Sequence, residues 1–296
     1  MEELHLHKNH ITVEGGLYLL AELIENRSLK VLDIYGAVSP HHADLIMSST
    51  GWDMFFDFLG QSCSPLHTLN LGCNTVGDEQ ITSLVDSLIA MGSLRDLNLR
   101  DTDISSSGWV KFFNLRRPGT VLETLEKLNM MSWANENLLN DEGMIAFATS
   151  LRGNTSFKTL DSMGFNVTEE GGWAALSTAL CDKSSIQSVC NSNHTFSGGV
   201  SFGWYGEDPN EVTTLLNLNR GENKYEVIRQ KLFRYYFSEN KNLHEIANID
   251  DEVLPRLLGA IAKDAKGIQM MYQIVKIVPS LFDTKQYKTL SGKRKR

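Results

Sequence analysis

A short pattern of apolar positions, LxxLxLxxNx(L/I), recurs through the first two thirds of this 296-residue chain, each time followed by a stretch with helical periodicity. The clearest copies start at Leu66 ("LHTLNLGCNTV") and Leu94 ("LRDLNLRDTDI"), and "MEELHLHKNHI" from Met1 is close to them. Further copies start at Leu29, Leu125, Phe157 and Ile186, with start-to-start spacings of 28, 37, 28, 31, 32 and 29 residues. A period this long accommodates one strand and one full helix, so consecutive copies stack as turns of a solenoid with parallel strands. By the period-two rule of strands, positions one, four and six point into the core. Leu66, Leu69 and Leu71 are then core, whereas His67, Thr68, Asn70 and Gly72 are surface.

Position nine favours asparagine, whose amide satisfies backbone groups left open where the chain turns. Asn9 and Asn74 keep it, while Ala37, Thr102, Phe165 and His194 stand in elsewhere. The returning segments read as helices. Ile81, Leu84, Leu88 and Ile89 form one stripe, with Asp78 and Glu79 expected in its first turn, where the dipole favours negative charge. Similar stripes run over 15–24, 143–151 and 171–180, each preceded by a Glu-Gly or Gly-Gly pair read as a tight turn. Asn26, Asn154, Asn166 and Asn193 begin N-x-S/T triplets and are expected as unmodified turn residues.

Two long connections break the rhythm, one between the second and third strands and one at "MSWANENLLNDEG", after which the fifth repeat resumes near Leu139. Beyond about residue 197 the period stops. A Gly/aromatic linker over 197–208 leads to amphipathic helices around 209–218, 224–237, 251–264 and 267–279, with Asp208-Pro209 as cap and first helical residue. The organisation expected is a solenoid over 1–196 with about seven repeats, a helical cap over 209–283 and a basic, disordered tail over 284–296. Met1 already occupies a first-leucine position with no capping segment before it, so the natural chain is expected to extend upstream.

The repeat length and strand signature resemble the ribonuclease-inhibitor class of leucine-rich repeats over roughly residues 1–196, as in "LRGNTSFKTLDSMGFNVTEEGGWAALSTAL". The C-terminal phrases "LLNLNRGENKYEVIRQKLFRYYF", "VLPRLLGAIAKD" and "MYQIVKIVPSLF", with the "KRKR" end, resemble a set of uncharacterised microalgal repeat proteins. The resemblance implies an α/β fold, a leucine-rich repeat solenoid with strands on a concave face and helices on a convex one. It implies protein–protein recognition through the concave face and brings no catalytic residue with it.

Charge narrows the partners. The net charge is −8, yet residues 281–296 hold six Lys/Arg and one Asp, a local +5, which leaves −13 on the other 280 residues. Such a body repels phosphate backbones, so nucleic acid is expected only through the tail. No apolar run approaches 18 residues, and no basic-then-apolar segment opens the chain. Cys63, Cys73, Cys181 and Cys190 lack zinc spacing and read as free thiols in a reducing compartment, cytoplasmic or nuclear.

Searches for catalytic motifs find none, and no cofactor is implied. His5 and His7 share a strand face with Glu3, a spacing that a metal can use but that ordinary surface residues share. Asp33, Asn70, Asn98, Asn129 and Asp161 form a fifth-position column, read as a hydrogen-bonding ridge rather than an acidic catalytic site. The seventh position holds Tyr35, Arg100 and Met131, residue types favoured at interface hot spots. Trp133, in the long connection, either anchors a partner from the rim or packs on its own loop. The protein-binding candidates are thus Tyr35, Asn70, Asn98, Arg100, Asn129, Met131, Trp133 and Asp161. The expectation is a non-enzymatic scaffold for a protein or peptide. A GTPase-activating protein using Arg100 or Asn98 is the alternative, and a degradation adaptor is a third.

Overall fold

The computed structural model describes residues 1–9, 26–37, 49–61, 65–115, 121–132, 139–199 and 209–236, together with Ile11, Gly15, Tyr18, Leu19, Leu258, Gly259 and Tyr272. These residues divide into two compact units, one of Met1–Leu180 with Thr195–Arg220, the other of Cys181–His194 with Gly221–Arg296.

In the first unit, short strands follow one another in the order expected from the leucines. They are β1 (Glu3–His5), β2 (Val31–Asp33), β3 (Thr68–Asn70), β4 (Asp96–Asn98), β5 (Lys127–Asn129), β6 (Leu139–Asn140), β7 (Thr159–Asp161) and β8 (Phe165–Asn166). Strands β1, β2, β3, β4, β5 and β7 form one six-stranded sheet in that order, every pair parallel. The register places Leu4, Leu32, Leu69, Leu97, Leu128 and Leu160 side by side. From Leu32 onward this row is at most 1% exposed, so the fourth-position leucine is the spine of the core. Strands β6 and β8 pair separately, through Leu139 with Phe165 and Asn140 with Asn166.

The helices between strands are Ser49–Gln61, Ile81–Met91, Ser106–Asn114, Val121–Thr124, Asp141–Ser150 and Ala174–Leu180. Consecutive helices pack on one another, 49–61 on 81–91, 106–114 on 141–150, and 141–150 on 174–180. Ile81, Leu84 and Leu88 of the expected stripe are buried, together with Val85. Two helices carry the same aromatic signature, Trp52 with Phe55 and Phe56, and Trp109 with Phe112 and Phe113, each trio in mutual ring contact. Phe113 meets Phe147, which in turn meets Phe157 and Phe196, so aromatic packing runs on into the later repeats.

The turns obey the side-chain logic of the repeat. Asn74, 1% exposed, donates from Nδ2 to the carbonyls of Ile34, Leu71 and Gly72 at 3.0, 2.8 and 3.3 Å. Thr102, its stand-in one repeat later, donates to Leu99 O at 2.7 Å. Asn26 and Asn154 each accept from two backbone N–H groups before the next strand. Position eight has a left-handed backbone in the first four repeats, with Lys8, Gly36, Cys73 and Asp101 at φ 55°, 56°, 57° and 50°. Only one of the four is glycine.

Several expectations change. Glycines 143, 171 and 172 lie within the first turn of their helical segments rather than before them. Their role is close approach. A Cβ on Gly108 would stand 2.1 Å from Asp78 Oδ1, and one on Gly171 2.6 Å from Asp141 Oδ2. Asp78 itself precedes its helix, which starts at Ile81, and caps the following one instead. Ser105, the N-cap of 106–114, donates to it from the backbone at 2.8 Å and from its hydroxyl at 2.5 Å. Pro209 is a cap residue, the helix running Asn210–Asn219.

The largest difference concerns the seventh copy. Ile186–Asn191 is a helix, capped by the Ser185 hydroxyl accepting from Ser188 N, and it belongs to the second unit. Ile186 and Val189 are both buried, but Asn191 stands at the sixth position, where a strand needs leucine, and the Ser185 cap favours a helix instead. The next rung is supplied further on. Ser197 N donates to Lys158 O at 2.9 Å and Leu160 N donates to Gly198 O at 3.1 Å, the bonding that joins the other rungs. Phe196, fully buried and stacked on Phe157, takes the first-leucine place. Helix 210–219 packs on 174–180, and Asn219 Nδ2 donates to Phe196 O at 2.7 Å.

In the second unit, helix 186–191 packs near Lys224–Lys231 and the π-helical turn Leu232–Tyr236. The expected helices over 251–264 and 267–279 and the basic tail lie outside the described residues, save for helical Leu258, Gly259 and Tyr272.

Candidate functional site

The strand face is built by backbone register and then locked by side chains. Asp33, Asn70, Asn98 and Asn129 each turn an Oδ1 back on the chain, accepting from the N–H of Tyr35, Gly72, Arg100 and Met131 at 3.0 to 3.1 Å. Each fifth-position residue therefore orients the seventh-position residue of its own strand, an Asx turn repeated four times. Asp161, 8% exposed, is the most deeply set of the column and lies 3.6 Å from Lys127 Nζ. Burial raises the carboxyl pKa of neighbouring Asp96, an effect that Lys127 opposes and Asp161 reinforces.

Among the seventh-position residues, Tyr35, Arg100 and Met131 are all half-buried. Tyr35 lies over Gly72, where a Cβ would meet its ring at 2.8 Å, so Gly72 is covered rather than exposed as expected. Cys73 Sγ donates to Tyr35 Oη at 2.8 Å, and that contact together with partial burial holds the phenol above its ordinary range. Arg100 Nε donates to Asp101 Oδ2 at 3.1 Å. Tyr35, Cys73, Asp101 and Arg100 thus form one polar-aromatic cluster spanning β2 to β4. The left-handed conformation at position eight turns Cys73 and Asp101 toward it, a feature that leucine spacing does not encode. Trp133 lies outside the described residues.

At the other end of the face, His5 hydrogen-bonds Glu3 at 3.3 Å and Asp33 at 3.4 Å, and these carboxylates raise its pKa. Among the described residues no group of three or more His, Cys, Asp or Glu side chains is placed to hold a metal ion. Cys73, Cys181 and Cys190 are free thiols, Cys190 pushed up to about 12 by burial.

One concavity was not anticipated. A groove of about 530 Å³ lies beside the N-terminal ends of β3, β4, β5 and β7, lined among others by His67, Arg95, Glu126, Lys158, Thr124 and Ser156. Four of these, His67, Arg95, Glu126 and Lys158, stand at the second position of their repeats. The run of polar and charged residues at this position of successive repeats (Glu2, Lys30, His67, Arg95, Glu126, Lys158) is the signal in the sequence that points to them.

Parallel rungs stacked leucine on leucine, with asparagine closing the turn and a helix returning the chain, are arranged as in leucine-rich repeats. In agreement, residues 62–84, the copy containing Leu66, Leu69, Leu71 and Asn74, match the family model described as Leucine Rich repeat. No curated protein matches the chain. Repeats of this family commonly mediate protein–protein interaction and typically lack enzymatic activity. Among the described residues no helix is long and apolar enough to cross a membrane.

Proposed function

We propose that this chain is a non-enzymatic scaffold that receives a protein or peptide on its strand face, the inner side of a curved solenoid of the ribonuclease-inhibitor type. One observation carries the reading. Tyr35, Arg100 and Met131 stand two residues past the ends of β2, β4 and β5 at the same repeat position, each backbone held by an Asx turn from the residue two before it. Aromatic, guanidinium and thioether groups fixed in one row are the chemistry of interface anchors, and preorganisation lowers the entropy lost on binding. Asn70, Asn98 and Asn129 fix the backbone of the seventh position in their repeats, and Asp161 continues their column on β7. The protein works in the cytoplasm or nucleus.

The test is retention of one prey by the full chain and by Tyr35→Ala/Arg100→Ala/Met131→Ala. Loss of that prey, with an unchanged melting curve, supports the face. Full retention by the triple variant would sink it. A GTPase-activating role through Arg100 draws no comparable support, because its Nε is engaged by Asp101 Oδ2 at 3.1 Å.

A further inference from the structure

The groove beside the strand ends has a chemistry of its own. Glu126 sits between two cations, with Oε1 3.5 Å from Arg95 Nη1 and Oε2 2.5 Å from Lys158 Nζ. Both of its oxygens are engaged, yet the cations are not used up. A guanidinium carries five N–H donors and an ammonium three, so several remain. Their side chains are 62% and 56% exposed. His67, Thr124 and Ser156 add further groups able to donate. The two cations and one carboxylate leave a local excess of +1, on a chain whose net charge is −8.

We propose that this groove binds a phosphate monoester carried by a peptide partner. Arg95 and Lys158 form the anion-binding pair, and Glu126 is an internal competitor that holds them in the phosphate's absence. The inference rests on the strand face being a partner surface, since the groove lies beside it. A phosphate brings about −1.5 to −2 charges and three acceptor oxygens. It therefore displaces a single carboxylate and matches a wall of donors better than an aspartate or glutamate does. A polynucleotide carries the same group, but its continuous charge would be repelled by a chain of net charge −8.

The experiment titrates the full chain with an end-capped Gly/Ala hexapeptide holding one phosphoserine. Parallel titrations use the Ser and Glu forms of that peptide, inorganic phosphate and single-stranded oligo(dT). The phosphoserine peptide should bind saturably and at least about tenfold more tightly than the Ser or Glu forms, as expected for charge-assisted hydrogen bonds. Arg95→Ala/Lys158→Ala should abolish binding, and Glu126→Gln should strengthen it several-fold. Equal binding of the Ser or Glu peptide, or weakening by Glu126→Gln, overturns the proposal. Inorganic phosphate or oligo(dT) binding as tightly as the peptide overturns the peptide as its source. Should the groove fail while the Tyr35/Arg100/Met131 variant still loses its prey, the groove alone is refuted and the scaffold reading stands.

Discussion

Asp141 grips Thr168 twice across 27 residues, its Oδ1 accepting from the backbone N–H and its Oδ2 from the hydroxyl, both at 2.8 Å. It also accepts from Gly172 N at 2.8 Å. Asp78 repeats the arrangement on Ser105, again 27 residues on. An acidic residue at the start of one helical segment thus caps the next, tying neighbouring repeats through side chains at their surface.

The hydrogen bonds from Thr168 and Gly172 depress the carboxyl pKa of Asp141 below its ordinary value of 3.8. A depressed acid stabilises the folded state above its unfolded pKa and loses that contribution as pH falls through the folded value. Wild type should therefore unfold at higher urea than Asp141→Asn at pH 7, and the gap should close as pH drops below about 4. A gap that does not narrow as the pH falls contradicts the latch.

Gly108→Ala tests the matching contact at Asp78. The added Cβ would stand 2.1 Å from the carboxylate oxygen, so either the cap or the helix start must move. The expected loss is about 2 kcal/mol, from the cost of overpacking a closed contact. Asp78→Gly in the same chain should recover part of it, measured by chemical denaturation.

Asn74→Ala removes the donor that serves one carbonyl of the second repeat, Ile34, and two of the third, Leu71 and Gly72. Leaving buried acceptors short should cost about 2 kcal/mol. Thr102→Val, which deletes a single such bond, should cost about 1 kcal/mol. Equal effects of the two would argue that the asparagine amide is not bridging strands.

In the second unit, Lys231 is fully buried, donating to Asn193 O at 2.9 Å and lying 3.2 Å from His194 Nδ1. Burial lowers its pKa to about 7 from 10.5, and burial with the Lys231 charge lowers that of His194 to about 3. Both groups bind more protons when unfolded, so stability should rise with pH, from about 3 to 6.5 through His194 and from about 7 to 10.5 through Lys231. Lys231→Met should flatten the second rise, read by hydrogen exchange in 224–236. An unchanged slope would contradict it.

Gly72→Ala should expel the Tyr35 ring from its seat, since the new methyl would lie 2.8 Å from it. Tyrosine fluorescence and loss of the same prey as in Tyr35→Ala are the readouts. A variant that keeps the prey would place the contact elsewhere.

Much of this architecture can be read from leucines alone, because burial at positions one, four and six leaves few ways to stack a rung. Leu69, Leu97 and Leu128 were legible for that reason. Elements held by other means were not. Phe196 enters the sheet on backbone bonds after a 39-residue interval from Phe157, whereas Ile186, which carries the better apolar spacing, turns helical. The left-handed positions are hidden because Lys8, Cys73 and Asp101 give no glycine signal. The Asp78 cap depends on a partner a full repeat away, so local reading places its charge on the wrong helix. In the candidate site, the residue types of the seventh position were visible, but the Asx turns and the Tyr35 roof over Gly72 need the register between strands.

The rung at Ser197 and Gly198 also governs how this chain behaves toward copies of itself. Without it, β7 would offer an open row of amides and carbonyls, an invitation for strands of other molecules to zip on and lengthen the sheet without limit. The chain's own backbone occupies those bonds, and the following Gly199 lets it come that near, as a Cβ there would lie 1.8 Å from Leu160 O. A single methyl at that glycine would push the segment off β7 and bare the amides and carbonyls it now covers.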